Sequence, residues 1–335
     1  MPSLTSSRPE GLVLPDAGLD AHISTRLADV EALLRESVVS EYPFVTNAAR
    51  HLVDAGGKRF RPLLTLLAAQ FGDPMAVGVV PSAVVVELTH LATLYHDDVM
   101  DEAPLRRGAA SANARWDNTV AILTGDFLFA RASDLLADLG PEAVRIQART
   151  FERLCTGQIR ETVGPGEGED PIAHHVSVLA DKTGSLIATA GRFGAMMSGA
   201  GQDVVETMAA FGERIGVAFQ LADDLVDIGS ERSQSGKTPG TDLREGVATL
   251  AVLYARTSMD PDDARLIELT SGPIHDDAEH AEALSLLRAH SAMGRARDEA
   301  HRWAAEARST LAPLPAGPAR GSLELLCDYV VERTG

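Results

Sequence analysis

The sequence predicts an all-α protein, on three observations. Aromatic residues make up 4% of the chain while 45% is apolar, so a core can form with little of the Phe, Tyr and Trp that strands favour. Ala, Leu, Arg and Glu, all good helix formers, are abundant. Apolar residues recur at helical spacing over most of the length, without an internal repeat or a sharp seam. The reading is a flexible arm over residues 1–19 followed by a single domain over 20–335.

The first helical pattern covers residues 20–41. The next begins at Arg61-Pro62, where proline suits a first helical turn, and Gly72-Asp73-Pro74 stops it. From Ser82 the run AVVVELTHLATLYHDDVMDEA is apolar nearly all round as far as Tyr95, the pattern of a central buried helix, and it ends in acid. Pro104 closes it, and Arg106-Arg107-Gly108 follows in a loop. Helices are expected over 118–139 and 142–161, then, after the acidic Gly-Pro loop at 164–171, over 172–197 and 204–228. Residues 229–246 form a long polar loop, of a length often used for a lid. Further helices fill 247–309, broken near Pro261 and Gly272-Pro273, and a last one covers 323–333. Gly212 and Gly216 read as a close helix contact, and Asp276-Asp277 as a helix start.

With 48 acidic against 30 basic side chains the net charge is −18, which argues against nucleic acid as a partner. Cys155 and Cys327 form no CxxC pair, so neither a disulfide framework nor a cysteine zinc site is indicated, and a reducing, cytoplasmic setting fits. The first twenty residues lack a basic start and an apolar run of signal-peptide length. The stretch 75–95 is broken by Pro81, Glu87 and His90, so the reading is a soluble protein.

Two acidic turns carry the chemistry. In His96-Asp97-Asp98-Val99-Met100-Asp101, Asp97 and Asp101 stand one turn apart on one helix face, with Asp98 beside them. A solvated final turn is the bland alternative, but acids at a helix C-terminus oppose the macrodipole. Asp223-Asp224-Leu225-Val226-Asp227 repeats the spacing at the end of a second apolar run. If the two helices lie side by side, these carboxylates face one another across a cleft. Such an array calls for several Mg²⁺ ions and a polyanion, since Mg²⁺ binds through one or two carboxylates plus substrate phosphates. Lys58-Arg59-Phe60-Arg61 after Gly56-Gly57, Arg106-Arg107 before Gly108, and Lys237 each place cations where a loop meets a helix, as phosphate binding requires.

At this point the chain resembles the trans-isoprenyl diphosphate synthases, or polyprenyl synthetases. GGKRFRP from Gly56, ELTHLATLYHDDVMDEAPLRRG from Glu87, GDFLFARA from Gly125, DKTGSL from Asp181, FQLADDLVDI from Phe219 and GKTPGTDLREG from Gly236 follow the family order. The resemblance implies an orthogonal helical bundle around a central cavity, usually a homodimer, that adds isopentenyl diphosphate head-to-tail to an allylic diphosphate. It implies Asp97, Asp101 and Asp223 as the principal Mg²⁺ ligands, supported by Asp98, Asp224 and Asp227. Lys58, Arg61, His90 and Arg107 correspond to the isopentenyl diphosphate site, and Arg106, Lys182, Thr183, Gln220 and Lys237 to the allylic site. Asp97, Asp101, Arg106, Lys182, Asp223 and Lys237 are thereby the catalytic candidates. Helical spacing agrees for His90, two turns before Asp97, and for Gln220, one turn before Asp224. Val247 departs from the pattern, where many relatives carry lysine.

In this family a bulky residue four or five positions before the first aspartate shortens the product. Here those positions hold Thr93 and Ala92, both small, which favours a medium or long polyprenyl diphosphate such as a quinone side-chain precursor over a geranylgeranyl or farnesyl product. Ala132 and Ser133 would leave further space, with Phe127 and Phe129 as a floor. A long product has to leave for the bilayer, which implies transient membrane contact, although no residue pattern marks that surface. An HD-type phosphohydrolase would leave the second acidic turn unexplained, and a terpene cyclase carries a different second metal motif. A noncatalytic subunit of a heteromeric synthase commonly loses motif residues that are intact here.

Overall fold

The computed structural model describes residues 12–229 and 239–332, and among them the elements are helical apart from one two-stranded ribbon. The chain groups into two compact units, where the sequence shows no seam. Of the described residues, one unit holds 12–152, 186–212 and 310–325, the other 153–185, 213–229, 239–309 and 326–332.

In the first unit the chain is packed from Leu12 onward among the described residues. Leu12 and Leu14 are buried, and α1 (Ala17–Ser37) starts at an Asp16 cap whose carboxylate accepts from the Leu19 N–H at 2.7 Å. Its buried stripe, Ile23, Leu27, Val30 and Leu34, keeps the four-three spacing of one helix face. Helix α2 (Pro43–Asp54) lies in a stretch without a sequence assignment, although Pro43 stands in its first turn, where the missing N–H costs nothing. Helices α3 (Phe60–Ala68) and α4 (Val79–Met100) follow. Of the α4 residues from Val79 to Ala92, only Pro81 and His90 are not buried. Helix α4 packs against α1, α3 and α6 (Asn118–Leu139), which makes it the centre of this unit. Short α5 (Ala112–Trp116) precedes α6, whose cap Asp117 accepts from the Val120 N–H.

Helices α7 (Pro141–Val163), α9 (Ser185–Met197) and α10 (Gln202–Gly229) contribute residues to both units. The expected glycine contact is present at Gly212: a Cβ there would lie 2.6 Å from the Ala188 Cα and 2.6 Å from the Ile187 carbonyl. Gly212→Ala therefore forces a backbone apart. It should destabilise by about 1–3 kcal/mol, outweighing the roughly 1 kcal/mol that alanine gains over glycine in a helix, as thermal unfolding would read.

In the second unit, α8 (Pro171–Leu179) is capped by Asp170 and runs into a single π turn over Ala180–Gly184. After α10 come α11 (Thr241–Glu245), α12 (Leu250–Arg256), α13 (Ala264–Leu269), α14 (Asp277–Ala289), α15 (Ala292–Thr310) and α16 (Pro318–Glu332), the last two contributing to both units. Helix α12 packs on α8, α13 and α14. Asp276 caps α14 through the N–H groups of Ala278 and Glu279, as its sequence suggests. The loop expected over 229–246 contains α11, while residues 230–238, Lys237 among them, lie outside the described residues. Among the described residues no helix is long and apolar enough to cross a membrane.

Candidate active site

In the first unit the acidic turn closes α4. Asp101 caps the helix, its N–H reaching the carbonyls of Asp97 and Val99. Asp97 is half-buried and Asp101 exposed, whereas Asp98 is wholly buried. The Asp98 carboxylate accepts from Arg106 Nε at 2.6 Å, and Arg106 also stands 3.8 Å from Asp101. Burial pushes the Asp98 carboxyl up, and the Arg106 charge and hydrogen bond oppose that rise. The three aspartates thus differ in environment: Asp98 is committed to Arg106.

That arrangement depends on the ribbon, in which Leu105 and Arg106 pair with Ala110 and Ala109. Its two-residue loop is Arg107-Gly108, with φ of 53° and 76°, as the tight hairpin turn that matches strand twist requires. The turn separates adjacent arginines. Arg106 goes to Asp98, while Arg107 donates to the carbonyls of Leu52, at 3.0 Å, and Gly56. The Arg107 guanidinium also lies over Gly57, where a Cβ would stand 2.9 Å from its central carbon, so the glycine pair makes room for a cation.

Lys58 is exposed and Arg61 half-buried, but Arg59 between them is buried. Arg59 takes a left-handed φ of 44° and donates to Glu31, to Glu87 at 2.7 Å and to the Val53 carbonyl at 3.0 Å. Burial works against its charge, yet Glu87 and Glu31 hold its pKa above the usual value. Among the described residues neither Arg61 nor Arg107 has a carboxylate at ion-pair distance, and Arg61 Nε is buried without a hydrogen-bond partner. Burial, with Glu87 opposing and Arg107 adding, pulls Arg61 down to about 10. Burial also drives His90 well below the usual histidine range, reinforced by Arg61, Arg107, Arg59 and Arg106, so His90 is neutral at pH 7. A neutral imidazole beside Arg61 and Arg107, neither of which has a carboxylate at ion-pair distance among the described residues, is a place for an anion.

A cavity of about 400 Å³ adjoins this region, with Thr89 and His96 of α4, Phe129, Ala132 and Leu136 of α6, and Gln147 of α7 in its wall. His96, the residue before Asp97, approaches the Ile122 carbonyl at 3.1 Å and packs at a tilt against Phe129, whose ring centre stands 4.4 Å from that of Phe151. Of the residues expected to leave space, Ala132 and Ser133 line the cavity, and so does Phe129. Ala92 is wholly buried, and the half-buried Thr93 turns its hydroxyl to the His90 carbonyl at 2.8 Å.

In the second unit the other acidic turn lies on α10. Gln220 Nε2 donates to Asp224 at 2.9 Å, and Thr183, presented by the π turn, donates to Gln220 Oε1 at 3.1 Å. Single π turns recur at functional sites, and this one carries Lys182 and Thr183. Lys182 Nζ meets Glu161 at 2.5 Å, and His175 Nε2 lies 3.9 Å from Asp224. Burial, opposed by the Gln220 hydrogen bond and reinforced by Asp223, Glu161 and Asp227, pushes the Asp224 carboxyl up to about 7. Asp242 is pushed well above its usual range by burial and by Asp224, Asp227, Glu245 and Asp223, and its N–H reaches Asp227 at 3.4 Å.

Asp242, Glu161 and His175 belong to this cluster and were not singled out from the sequence. Asp242 lies in the quoted GKTPGTDLREG segment, in the first turn of α11. Glu161 and His175 carry no local signal, since they reach the cluster from other helices. So many oxygens crowded together that burial and mutual repulsion push two of the carboxyls up form a donor set suited to a hard divalent cation, which would relieve the repulsion. Among the described residues no three such side chains close into a preformed metal cage. Mg²⁺ accepts an open set, because substrate phosphates and water complete its coordination.

Residues 42–287 match the polyprenyl synthetase family model. The chain belongs to the polyprenyl synthetase family. It is 53% identical over 326 residues to the nonaprenyl diphosphate synthase of Mycobacterium tuberculosis, covering 97% of each chain. Among solved structures it is similar to geranylgeranyl pyrophosphate synthase from Corynebacterium glutamicum complexed with calcium and isoprenyl diphosphate, with TM-score 0.86 and 46% identity over 97% of this chain and 100% of that one. It is also similar to a decaprenyl diphosphate synthase from Rhodobacter capsulatus, with TM-score 0.86 and 35% identity over 95% and 99%. The polyprenyl synthetase fold is all-α, and the chain is a prenyltransferase.

Proposed function

We propose that this polyprenyl synthetase adds isopentenyl diphosphate to an allylic diphosphate and releases a medium- or long-chain trans-polyprenyl diphosphate. The observation that carries this reading is the cavity of about 400 Å³ whose wall includes His96, next to Asp97. A cavity of about 150 Å³ already holds benzene, so this one takes a hydrocarbon of more than one isoprene unit. The 53% identity to a nonaprenyl synthase supports a product beyond geranylgeranyl; Ala92 and Thr93, though small, do not line this cavity, whereas Ala132 and Ser133 do.

Lys58, Arg61, His90 and Arg107 hold the diphosphate of isopentenyl diphosphate, with the neutral His90 donating a hydrogen bond. Arg106, Lys182, Thr183, Gln220 and Lys237 hold that of the allylic substrate, and Asp97, Asp98, Asp101, Asp223, Asp224 and Asp227 form the acidic surroundings of the metal. Mg²⁺, when bound through Asp97, Asp101 and Asp223, supplies positive charge to the leaving group. The allylic C–O bond breaks with its electron pair going to diphosphate, and Arg106 and Lys182 stabilise the charge that develops. The isopentenyl double bond then forms the new C–C bond, and a proton leaves to the departing diphosphate, restoring a double bond. A homodimer is part of the proposal, supported by Ile122 and Leu123, which are 43% and 61% exposed on α6. A cytoplasmic enzyme that touches the membrane transiently during product release completes it.

Incubation of the purified chain with radiolabelled isopentenyl diphosphate and, separately, dimethylallyl, geranyl, farnesyl and geranylgeranyl diphosphates tests the reading. With Mg²⁺ the dephosphorylated products should form a ladder ending at one length, and EDTA should stop incorporation until Mg²⁺ is restored. No incorporation with any of the four primers would overturn it.

A further inference from the structure

The cavity wall contains a polar pair that the reaction chemistry does not use. Gln147 is 8% exposed and lines the cavity together with Thr89, which is wholly buried. The Thr89 hydroxyl donates to the Val85 carbonyl at 2.8 Å, so toward Gln147 it acts only as an acceptor. With the hydroxyl so directed, Gln147 Nε2 donates to Thr89 Oγ1 at 2.8 Å. The amide oxygen is then left without a hydrogen-bond partner and out of contact with solvent. Native proteins rarely leave a buried amide oxygen unpaired; of the wall residues, Phe129, Ala132 and Leu136 have no side-chain donor, Ser133 gives its hydroxyl to the Phe129 carbonyl and His96 Nε2 lies at the Ile122 carbonyl.

We propose that Gln147, anchored by Thr89, is the residue that sets product length, an inference that rests on the cavity receiving the growing hydrocarbon. A polyprenyl tail brings neither donors nor acceptors. While Gln147 stays bonded to Thr89, the tail packs beside it. To pass, the next isoprene unit must displace the amide, which leaves Nε2 and the Thr89 acceptor unpaired against hydrocarbon while Oε1 gains nothing. That penalty applies to tails that reach Gln147 and to none that fall short of it. The stop is polar, so leucine, similar in size but without the amide, removes it.

The experiment compares product distributions of wild-type protein, Gln147→Leu and Thr89→Val, each with labelled isopentenyl diphosphate, Mg²⁺ and farnesyl diphosphate, with thermal unfolding as a control for folding. Both variants should shift the main product longer by one or more isoprene units, with the rate of label incorporation little changed. An unchanged main product in folded, active Gln147→Leu overturns the proposal. If that variant does not fold, Thr89→Val, which keeps the shape and removes the anchor, decides in its place, and an unchanged product again overturns it. Failure of the underlying reading looks different: the wild-type protein would incorporate no label, and the length proposal would fall with it.

Discussion

Replacing Asp97 or Asp223 with alanine should lower kcat by on the order of 10³-fold while leaving the helical content and the unfolding transition nearly unchanged. Each change removes an electrostatic contribution to leaving-group stabilisation, a kind of loss that costs about 10²–10³ in kcat where it has been measured, and here the metal's hold on the diphosphate weakens as well. The fold survives for a separate reason. Asp97 is half-buried at the C-terminal turn of α4, where a negative charge opposes the macrodipole. Asp223 is likewise half-buried beside the buried Asp224, whose pKa its charge helps to raise, so its removal relieves repulsion. Steady-state kinetics with circular dichroism separates the two effects. Near-normal kcat in both variants would remove the metal assignment, and unfolding of both would show that these carboxylates hold the fold together.

Arg59→Ala should have the opposite profile, a large loss of stability whose effect on activity follows from unfolding. Arg59 is 3% exposed and Glu87 2%, and the pair meets at 2.7 Å with Glu31 on the other side of the guanidinium. Truncation leaves Glu87 buried with its closest counter-charge gone, and breaking such a pair costs about 3–5 kcal/mol. The Val53 carbonyl also loses its donor. Thermal or denaturant unfolding reads the change. A loss under about 1 kcal/mol would mean that the network behaves like a solvent-exposed ion pair. The neighbouring Arg61 makes the contrast sharp: with no carboxylate at ion-pair distance among the described residues, its replacement should weaken substrate binding far more than stability.

Much of the candidate site was legible in local spacing. The Gly-Gly approach to Lys58 and Arg61 was legible from residue type, and His90 came from the family resemblance, with which its helical spacing agrees; the pairs Asp97 and Asp101, and Asp223 and Asp227, could be read directly, because helix geometry puts residues four apart on one side. The apolar run ending at Tyr95 identified the central helix for the same reason. Asp276 as a cap and Gly212 as a close contact also followed from short-range chemistry. Three kinds of feature did not. Pro43 announces α2 and the short α11 follows Gly240, but their periodic signals are brief. The grouping of the internal packing into two compact units has no counterpart in a composition shift or linker along the chain. Adjacent charged residues, finally, turned out to have unlike roles.

That last difference marks the boundary between the two kinds of information. An all-α chain with two acidic turns, cations at loop-to-helix junctions and a net charge of −18 is specified by residue type and by periods of a few residues, which the backbone imposes wherever a helix forms. Which member of each group is desolvated depends on partners far away in the chain. Asp98 rather than Asp97 is buried because Arg106 returns to it through the Arg107-Gly108 turn. Arg59 rather than Arg61 is neutralised because Glu31 and Glu87 meet it from α1 and α4, and the Asp224 carboxyl is pushed up because it is buried and because α7 and α10 bring Asp223, Glu161 and Asp227 close. Desolvation and Coulomb energies depend on distance and burial, and these become defined only when elements tens of residues apart pack together.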